Sequence, residues 1–255
     1  MSGLKVIKVE AEGPITSFRY PHFMVGRQIS FPAPPPATIY GHLCSALGDH
    51  IPRDEASIAY CFESCGEGDD LETAHFSSVA SGRLDRAWGY VKNIDVQTNV
   101  LKRQLLLNAR LTLYLHCTRK HDAWMRALRE PEYPVVLGRS QDLFAYRSVQ
   151  EVDLTPGDQA YLGPGVLPWE WRAALAVGES FQMPRFVDPA SRSRVEWSRY
   201  VVLSERVWWG DASEAPRGAA QALRRMDAPA LWIDPTSPPW AKSHRAVVLH
   251  RWTDS

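Results

Sequence analysis

The 255-residue sequence predicts an α+β protein, with a ferredoxin-like domain over residues 1–155 and a smaller β-rich C-terminal part over residues 156–255 packed on it. In the first part, segments typical of strand, helix, strand, strand, helix and strand follow one another, which is the order of a ferredoxin-like unit. The second part is rich in tryptophan and proline and contains only short β-like runs. The whole sequence contains 45% hydrophobic and 23% charged residues, which is ordinary for a globular protein and excludes a disordered or fibrous chain.

The first predicted strand covers residues 4–10, where apolar residues alternate with Lys5 and Lys8. Gly13 and Pro14 end it, and a loop follows that is rich in proline over residues 32–36. Prolines fix an extended, polyproline-like backbone, so we expect this loop to lead into the next element without secondary structure of its own.

The first predicted helix begins after Thr38, a good N-cap residue, and ends before Gly48. Ile39, Leu43 and Leu47 recur at steps of four, which places them on one apolar face. Gly41 lies inside this helix, where glycine costs about 1 kcal/mol relative to alanine. We therefore expect a neighbouring group to pack closely against Gly41.

Further segments complete the first part, the last of them a β-like run over residues 135–137 that leads into a tight polar turn at residues 138–142. β-like runs cover residues 58–62 and 76–80, and residues 101–117 read as a long strand. Asp122 can cap a second helix over residues 123–129.

The net charge of +0 conceals a strong segregation of charge along the chain. Residues 49–72 hold eight acids and one base, whereas residues 81–129 hold ten bases and three acids. The Debye length is about 8 Å at physiological salt. We therefore expect a basic surface that does not feel the acids, provided that these lie on the far side of the molecule.

Several classes of protein are excluded. The longest apolar runs fall far short of the ~20 residues that span a bilayer, so we expect a cytoplasmic protein that does not contact membranes. Cys61 and Cys65 form a lone C-x3-C without a second pair, and we expect no metal and no cofactor. The common nucleotide-binding and hydrolase motifs are absent from the sequence.

Two motifs resemble the CRISPR-associated Cas-five family. Residues 26–48 are similar to the family's proline-rich loop, which enters a helix of the form P-P-S/A-T-I-Y-G. Residues 137–143, L-G-R-S-Q-D-L, resemble its L-G-R-S-E/Q-D-L turn, and the charged strand start at residues 102–104 also matches. The resemblance covers roughly residues 1–155 and is nearest to members of type I-B-like complexes.

The resemblance implies a subunit of the Cascade surveillance complex, in antiviral defence or in RNA-guided DNA targeting. It implies a modified RNA-recognition motif with a β-hairpin thumb at about residues 81–100. Such a subunit caps the crRNA by holding its 5′ handle. Its protein partners are a Cas-seven backbone subunit and a large, Cas-eight-type subunit, and it meets target DNA only through the complex.

The candidate RNA-binding residues flank these motifs, because arginine, amide and aromatic side chains contact phosphates, base edges and base faces. They are Arg19, Arg27, Gln28, Tyr40, His42, Lys102, Arg103, Arg139, Ser140 and Gln141. Tyr40 is equally compatible with packing against the sheet. The adjacent Lys102 and Arg103 point to opposite faces, and Arg103 is the one expected to face RNA. In the thumb, RNA or subunit contacts are expected from Arg83, Arg86, Trp88, Tyr90 and Lys92.

We expect no catalytic residues, and one alternative stays open. In type I-C complexes the family member is a metal-independent endoribonuclease that uses a tyrosine, a lysine and a histidine to process precursor crRNA. Tyr40, Lys120 and His121 are the residues of this sequence that offer the same chemistry.

Overall fold

An antiparallel sheet that carries two helices on one face forms the first part of this computed structural model. The structure describes residues 3–21, 26–79, 94–117, 119–221 and 231–253. Its strands are β1 (Leu4–Thr16), β2 (Arg27–Gln28), β3 (Ala56–Glu63), β4 (Gly66–Val79), β5 (Ile94–Cys117), β6 (Ala145–Gly157), β7 (Ala160–Leu162), β8 (Gly165–Pro168), β9 (Glu179–Val187), β10 (Val195–Leu203), β11 (Val207–Trp209), β12 (Ala220–Gln221), β13 (Leu231–Asp234) and β14 (Arg245–Val247). The helices are α1 (Pro36–Leu47) and α2 (His121–Arg129), and short 3₁₀ turns cover Trp169–Ala174 and Ala212–Glu214.

The strands of the first part lie in the order β6, β1, β5, β3, and every neighbouring pair is antiparallel. The pleat of β1 sends Ile7 and Val9 to the helix side and Val6 and Lys8 to the opposite side, and all four are buried. Both sides of this sheet are therefore covered. The predicted α+β class is confirmed by this mixture of a large sheet and few helices.

The helix side of the sheet holds the main core. Ile39 and Leu43 of α1 and Trp124 and Leu128 of α2 are buried in it. Helix α1 begins at Pro36, three residues earlier than predicted, because proline suits the first turn of a helix, where its missing N–H is not needed. It ends as predicted, with Gly48 in the left-handed conformation at φ 75°.

Two expectations about the helices are wrong. Gly41 is exposed, and a Cβ built on it would meet no described atom within 4 Å, so close packing does not explain this glycine. Helix α2 begins at His121, after Lys120 in the left-handed conformation, and Asp122 lies in its first turn. The negative charge of Asp122 stabilises the N-terminus of the helix, but its side chain does not cap the helix.

Strands of the C-terminal part cover the other side of the sheet. β13 pairs with the end of β6, and β14 pairs with β13. Val6, Ala59, Tyr114, Val152 and Val247 form a small buried cluster between these layers. In an RNA-recognition motif this side of the sheet is the surface on which bases stack. Here the covered region is occupied by protein.

The C-terminal part also extends the opposite edge of the sheet. β8 joins β3 through the pair Cys61↔Gly165, and β10 pairs with both β8 and β9. Met183, Tyr200 and Trp252 enter the same core as the two helices. Residues before and after position 155 therefore share one hydrophobic core.

A long hairpin projects from the first sheet. β4 and β5 pair from Gly66↔Leu107 to Val79↔Ile94. Its paired arms thus begin well before the predicted thumb bounds of 81–100, because the acidic segment forms one arm. The candidate thumb residues Arg83, Arg86, Trp88, Tyr90 and Lys92 lie outside the described residues.

Over the part of the chain that the structure describes, no helix is both long and apolar enough to cross a bilayer.

Candidate nucleic-acid interface

Most of the predicted RNA-binding residues meet where the hairpin leaves the sheet, a region we call the hairpin base. β2 lies beside β5, with Arg27 opposite Lys102 and Gln28 opposite Arg103. On the other side of β5, β4 places Leu71 opposite Lys102 and Asp70 opposite Arg103. Basic and acidic segments that are about thirty residues apart in sequence thus become direct neighbours.

Ion pairs at the hairpin base join these segments. The Arg27 guanidinium lies 2.9 Å from Asp69 Oδ1, and Arg103 pairs with Glu72. The amide of Gln104 donates to Glu67 over 2.5 Å. The expectation that the acids lie on the far side of the molecule is therefore wrong for residues 67–72. Antiparallel pairing with β5 brings their carboxylates beside the bases that they neutralise.

The exposure of Lys102 and Arg103 is the reverse of the expectation. Arg103 is 9% exposed and is held by Glu72, whereas Lys102 is exposed. Gln28, on β2 beside Arg103, is also buried, and its Oε1 has no hydrogen-bond partner within the described residues. Lys102, and not Arg103, is therefore the accessible cation of the two.

The turn at residues 138–142 closes onto the end of β1. The fully buried carboxylate of Asp142 accepts hydrogen bonds from the backbone N–H of Ser17 at 3.2 Å and of Arg139 at 2.9 Å. Thr16 Oγ1 donates to Leu137 O over 2.5 Å. Gly138 has φ 104°, and a Cβ there would lie 2.5 Å from Thr16 Oγ1, so this position requires glycine. The motif is thus first of all a structural clasp.

Arg139 links this turn to the hairpin base. Its Nε and NH2 donate to Asp142 at 3.0 and 2.8 Å, and its NH1 lies 4.0 Å from Asp70. Although burial lowers the pKa of Arg139, the hydrogen bond and charge of Asp142 outweigh it and raise that pKa. NH1 and the nearby Ser17 Oγ are buried without a hydrogen-bond partner within the described residues. Ser140 and Gln141 are exposed beside them.

Tyr40 and His42 lie in the core. The Tyr40 hydroxyl donates to Ile51 O over 2.7 Å, and its ring meets Phe186 edge-on at 5.0 Å. His42 Nδ1 donates to Val136 O, and its Nε2 accepts from the Tyr146 hydroxyl, each at 2.8 Å. Both side chains are about 5% exposed. Their placement agrees with the packing interpretation and leaves neither ring accessible to a base.

The predicted set therefore divides into two groups. Exposed or partly exposed positions are Arg19, Arg27, Lys102, Arg139, Ser140 and Gln141, and buried ones are Gln28, Tyr40, His42 and Arg103. Arg19 lies on the short bridge to Ser30, whose N–H donates to Gln104 of β5. Sequence reasoning missed the carboxylates that hold these bases, above all Asp69 and Asp142. The sequence signal that could have indicated these contacts is the presence of both an acidic run and a basic strand start.

The three residues of the ribonuclease alternative have separate partners. Lys120 Nζ lies 3.6 Å from Glu55, and His121 Nε2 lies 2.6 Å from Glu151. Burial raises the pKa of the Tyr40 phenol to about 12. A phenol of this kind is a poor proton acceptor at neutral pH. Among the described side chains, no three His, Cys, Asp or Glu residues group as metal ligands.

Comparisons with known proteins give the following matches. A chain of a solved "CRISPR RNA-guided surveillance complex" superposes with a TM-score of 0.47 and 17% identity, covering 80% of this chain and 91% of that one. A CRISPR protein from Archaeoglobus fulgidus gives 0.42 and 14%, covering 78% and 86%. A chain of the Type III-B Cmr-beta complex bound to cognate target RNA gives 0.42 and 12%, covering 79% and 85%. No curated protein matches the sequence.

The family model described as "CRISPR-associated protein (Cas_Cas5)" matches residues 6–205. This span includes α1, the hairpin base and the turn at residues 138–142, and it continues into β10. Since the match covers most of the sequence, the chain belongs to the Cas-five family of CRISPR-associated proteins.

Proposed function

We propose that this protein is a non-catalytic subunit that binds and caps the 5′ handle of crRNA in a type I Cascade complex acting in antiviral defence in the cytoplasm. Membership of the Cas-five family supports a role in an RNA-guided complex. The observation that carries the proposal is the hairpin base, where Arg27 and Lys102 lie on one face of β5 and Arg139 approaches Asp70 on the other face, beside exposed Ser140 and Gln141.

We also propose the finer fold description, a ferredoxin-like domain of the modified RNA-recognition type with a hairpin thumb. The strand order β6, β1, β5, β3 and the two helices on one side support it. Since the C-terminal strands cover part of the other side, RNA would bind at the edge of the sheet, near the hairpin, and not across the sheet.

The hairpin base offers two kinds of group to an RNA strand. Arg19 and Lys102 are exposed, and no acidic side chain of the described ranges pairs with either. Arg139 NH1 and Ser17 Oγ are buried polar atoms that make no hydrogen bond within the described residues, and such atoms are costly unless a ligand or water satisfies them. A handle phosphate or ribose hydroxyl is a ligand of the right chemistry.

The hairpin also offers a surface for a protein partner. Leu71 and Val100 are 67% and 60% exposed, and the register places both on the face that carries Lys102. Exposed apolar side chains on a projecting hairpin suit a subunit contact. We assign Leu71 and Val100 to the contact with the Cas-seven backbone subunit, and Lys102 beside them to RNA. The large Cas-eight-type subunit, and target DNA through it, would then lie elsewhere on the complex.

The absence of catalysis is part of the proposal. The burial of Tyr40 supports it, because ribonuclease chemistry requires an acid and a base near one phosphate and the buried Tyr40 hydroxyl is bonded to Ile51 O. Incubating the protein with repeat RNA in EDTA tests this directly. We expect intact RNA, whereas specific cleavage that is lost in His121→Ala would establish the ribonuclease instead.

A charge-matched pair of variants tests the RNA surface. Lys102→Gln removes an exposed basic side chain at the hairpin base, and Arg129→Gln removes an exposed basic side chain on α2. With labelled crRNA carrying its 5′ handle, we expect a loss of about 3- to 10-fold in affinity for the first variant only. Equal affinities for the two variants would remove Lys102 from the RNA surface.

A further inference from the structure

A groove lies between the first 3₁₀ turn, β10 and the C-terminal segment. Its residues are remote in sequence from the motifs described above. Its volume is about 530 Å³, and its lining includes Trp169, Arg199, His250 and Arg251. This volume is within the range of ~300–1,000 Å³ found for small-molecule sites and suits one nucleotide.

Trp169 supplies an accessible aromatic surface in this groove. The residue is 37% exposed, whereas Trp208, Trp209 and Trp252 are each at most 2% exposed. The Arg199 guanidinium lies 5.6 Å from the centre of the Trp169 ring. An indole beside an arginine is a combination on which nucleic-acid bases stack, because every base has a π-face and the guanidinium can reach the adjacent phosphate.

The charges of the groove favour an anion. Arg199 and Arg251 are exposed, and Arg251 Nε donates to Ser57 Oγ at 3.3 Å, which holds its guanidinium at the groove. Arg185 also lines the groove but is paired with Glu196 at 2.9 Å. Glu170 is the acidic side chain among the lining residues. The two exposed arginines therefore leave a net positive charge.

His250 adds an unsatisfied polar group. Its ring lies between Tyr60 and Tyr200, with centroids 5.9 and 6.0 Å away. Both ring nitrogens are buried without a hydrogen-bond partner among the described residues, although part of the residue remains exposed. A ligand hydroxyl or exocyclic group in the groove would satisfy one of them.

We propose that this groove binds one nucleotide of a single-stranded nucleic acid, with its base on Trp169 and its phosphates on Arg199 and Arg251. The site is independent of the hairpin base, so its occupancy does not require a crRNA handle. RNA and DNA single strands share this chemistry.

Binding of handle-free oligonucleotides to the full chain tests the proposal. Labelled oligouridine and oligothymidine of about 12 nucleotides serve as probes. We expect Trp169→Ala to lower affinity by roughly 5- to 20-fold and Trp169→Phe to retain most of it, because stacking needs a ring. Arg251→Gln should flatten the dependence of log K on log salt by about 0.7.

The control is Arg194→Gln, which removes an exposed arginine outside the groove, with 78% of its side chain exposed and Asp188 4.0 Å away. Trp169→Ala and Arg251→Gln variants that bind both probes as Arg194→Gln does would overturn the proposal. The proposal would also be overturned if the groove variants lost binding to an acidic peptide but kept their affinity for both oligonucleotides. Tighter binding of one probe identifies the strand as RNA or DNA. Lys102→Gln tests the hairpin base separately, since it should not alter the effect of Trp169→Ala.

Discussion

Lys8 and Asp234 form a buried ion pair, with Nζ 2.9 Å from Oδ2 and side-chain exposures of 2% and 0%. The Tyr114 hydroxyl donates to the same carboxylate at 2.7 Å, and Thr236 donates to its other oxygen through N and Oγ1 at 2.8 and 2.6 Å. This network joins the first strand of the chain to the C-terminal strands that cover the sheet.

Removing one partner of this pair should be costly. Asp234→Asn leaves the buried Lys8 ammonium with only the more exposed Glu10 carboxylate, 3.6 Å away, and we expect a loss of about 3–5 kcal/mol of unfolding free energy in urea denaturation. Lys5→Gln, which removes an exposed pair with Glu151, should cost far less, because water screens the attraction between exposed charges. Equal losses in the two variants would show that the buried pair does not hold the layers together.

Acid should weaken the fold through His250. Burial lowers the pKa of His250 to about 4, whereas a histidine in the unfolded chain titrates near about 6.5. The unfolded state therefore binds the proton first. Stability should be full above pH ~6.5 and fall by up to about 3 kcal/mol as the pH approaches ~4.

Asp234 reinforces this dependence at lower pH. Burial alone would raise its pKa, but the hydrogen bonds from Thr236, Lys8 and Tyr114 outweigh burial and lower it. The contribution of Asp234 to stability is present above its pKa in the unfolded chain and is lost as the pH falls through its pKa in the folded protein.

The test of the His250 prediction is the slope of unfolding free energy against pH between pH 7 and 4. This slope should be smaller in His250→Gln and unchanged in His50→Gln. An unchanged slope in both would contradict the assignment to His250.

Two glycines should respond oppositely to alanine. Gly138→Ala puts a Cβ 2.5 Å from Thr16 Oγ1 and 2.9 Å from Ser17 O at φ 104°, and we expect it to destabilise the protein by roughly 1–3 kcal/mol. Gly41→Ala meets no described atom within 4 Å in an exposed helix position and should stabilise it by up to about 1 kcal/mol. Thermal unfolding measures both, and a harmless Gly138→Ala would refute the clasp at residues 138–142.

The acidic arm of the hairpin should oppose RNA binding. Asp69 neutralises Arg27 and repels a phosphate that approaches it, and both side chains are about half exposed. We expect Asp69→Asn to raise the affinity for handle-bearing crRNA by about 2- to 5-fold. Asp122→Asn makes the same charge change on α2 and should leave affinity unchanged. A weaker Asp69→Asn complex would mean that Asp69 holds Arg27 in its binding conformation.

Local patterns predicted both helices and the strands β1 and β5, whereas β6 was not predicted. Each successful prediction concerns a single element that is buried on a definite face. The patterns are the alternation in β1, the four-residue spacing of Ile39 and Leu43, and the apolar run of β5. The first arm of the hairpin was missed over most of Gly66–Val79, because its polar residues show no alternation and its register depends on a strand about thirty residues away.

The candidate site was predictable by residue type but not by accessibility. Arg103 has the chemistry of an RNA ligand, yet it is held by Glu72, a carboxylate that only the fold brings to it. Arg139 is held by Asp142, three residues further along the chain, through the local geometry of the turn. Tyr40 and His42 likewise became core residues through contacts with the Ile51 and Val136 carbonyls. Such long-range pairings have no local signature in one sequence.

Handle recognition is the central claim, and a comparison of two RNAs tests it most directly. One is crRNA with its native 5′ handle, and the other is the same RNA with the handle replaced by an unrelated sequence of equal length. We expect the protein to bind the first at least about 10-fold more tightly at moderate salt, because specific contacts exceed the phosphate contribution that both share. Equal affinities for the two RNAs would contradict the claim that the protein caps the handle.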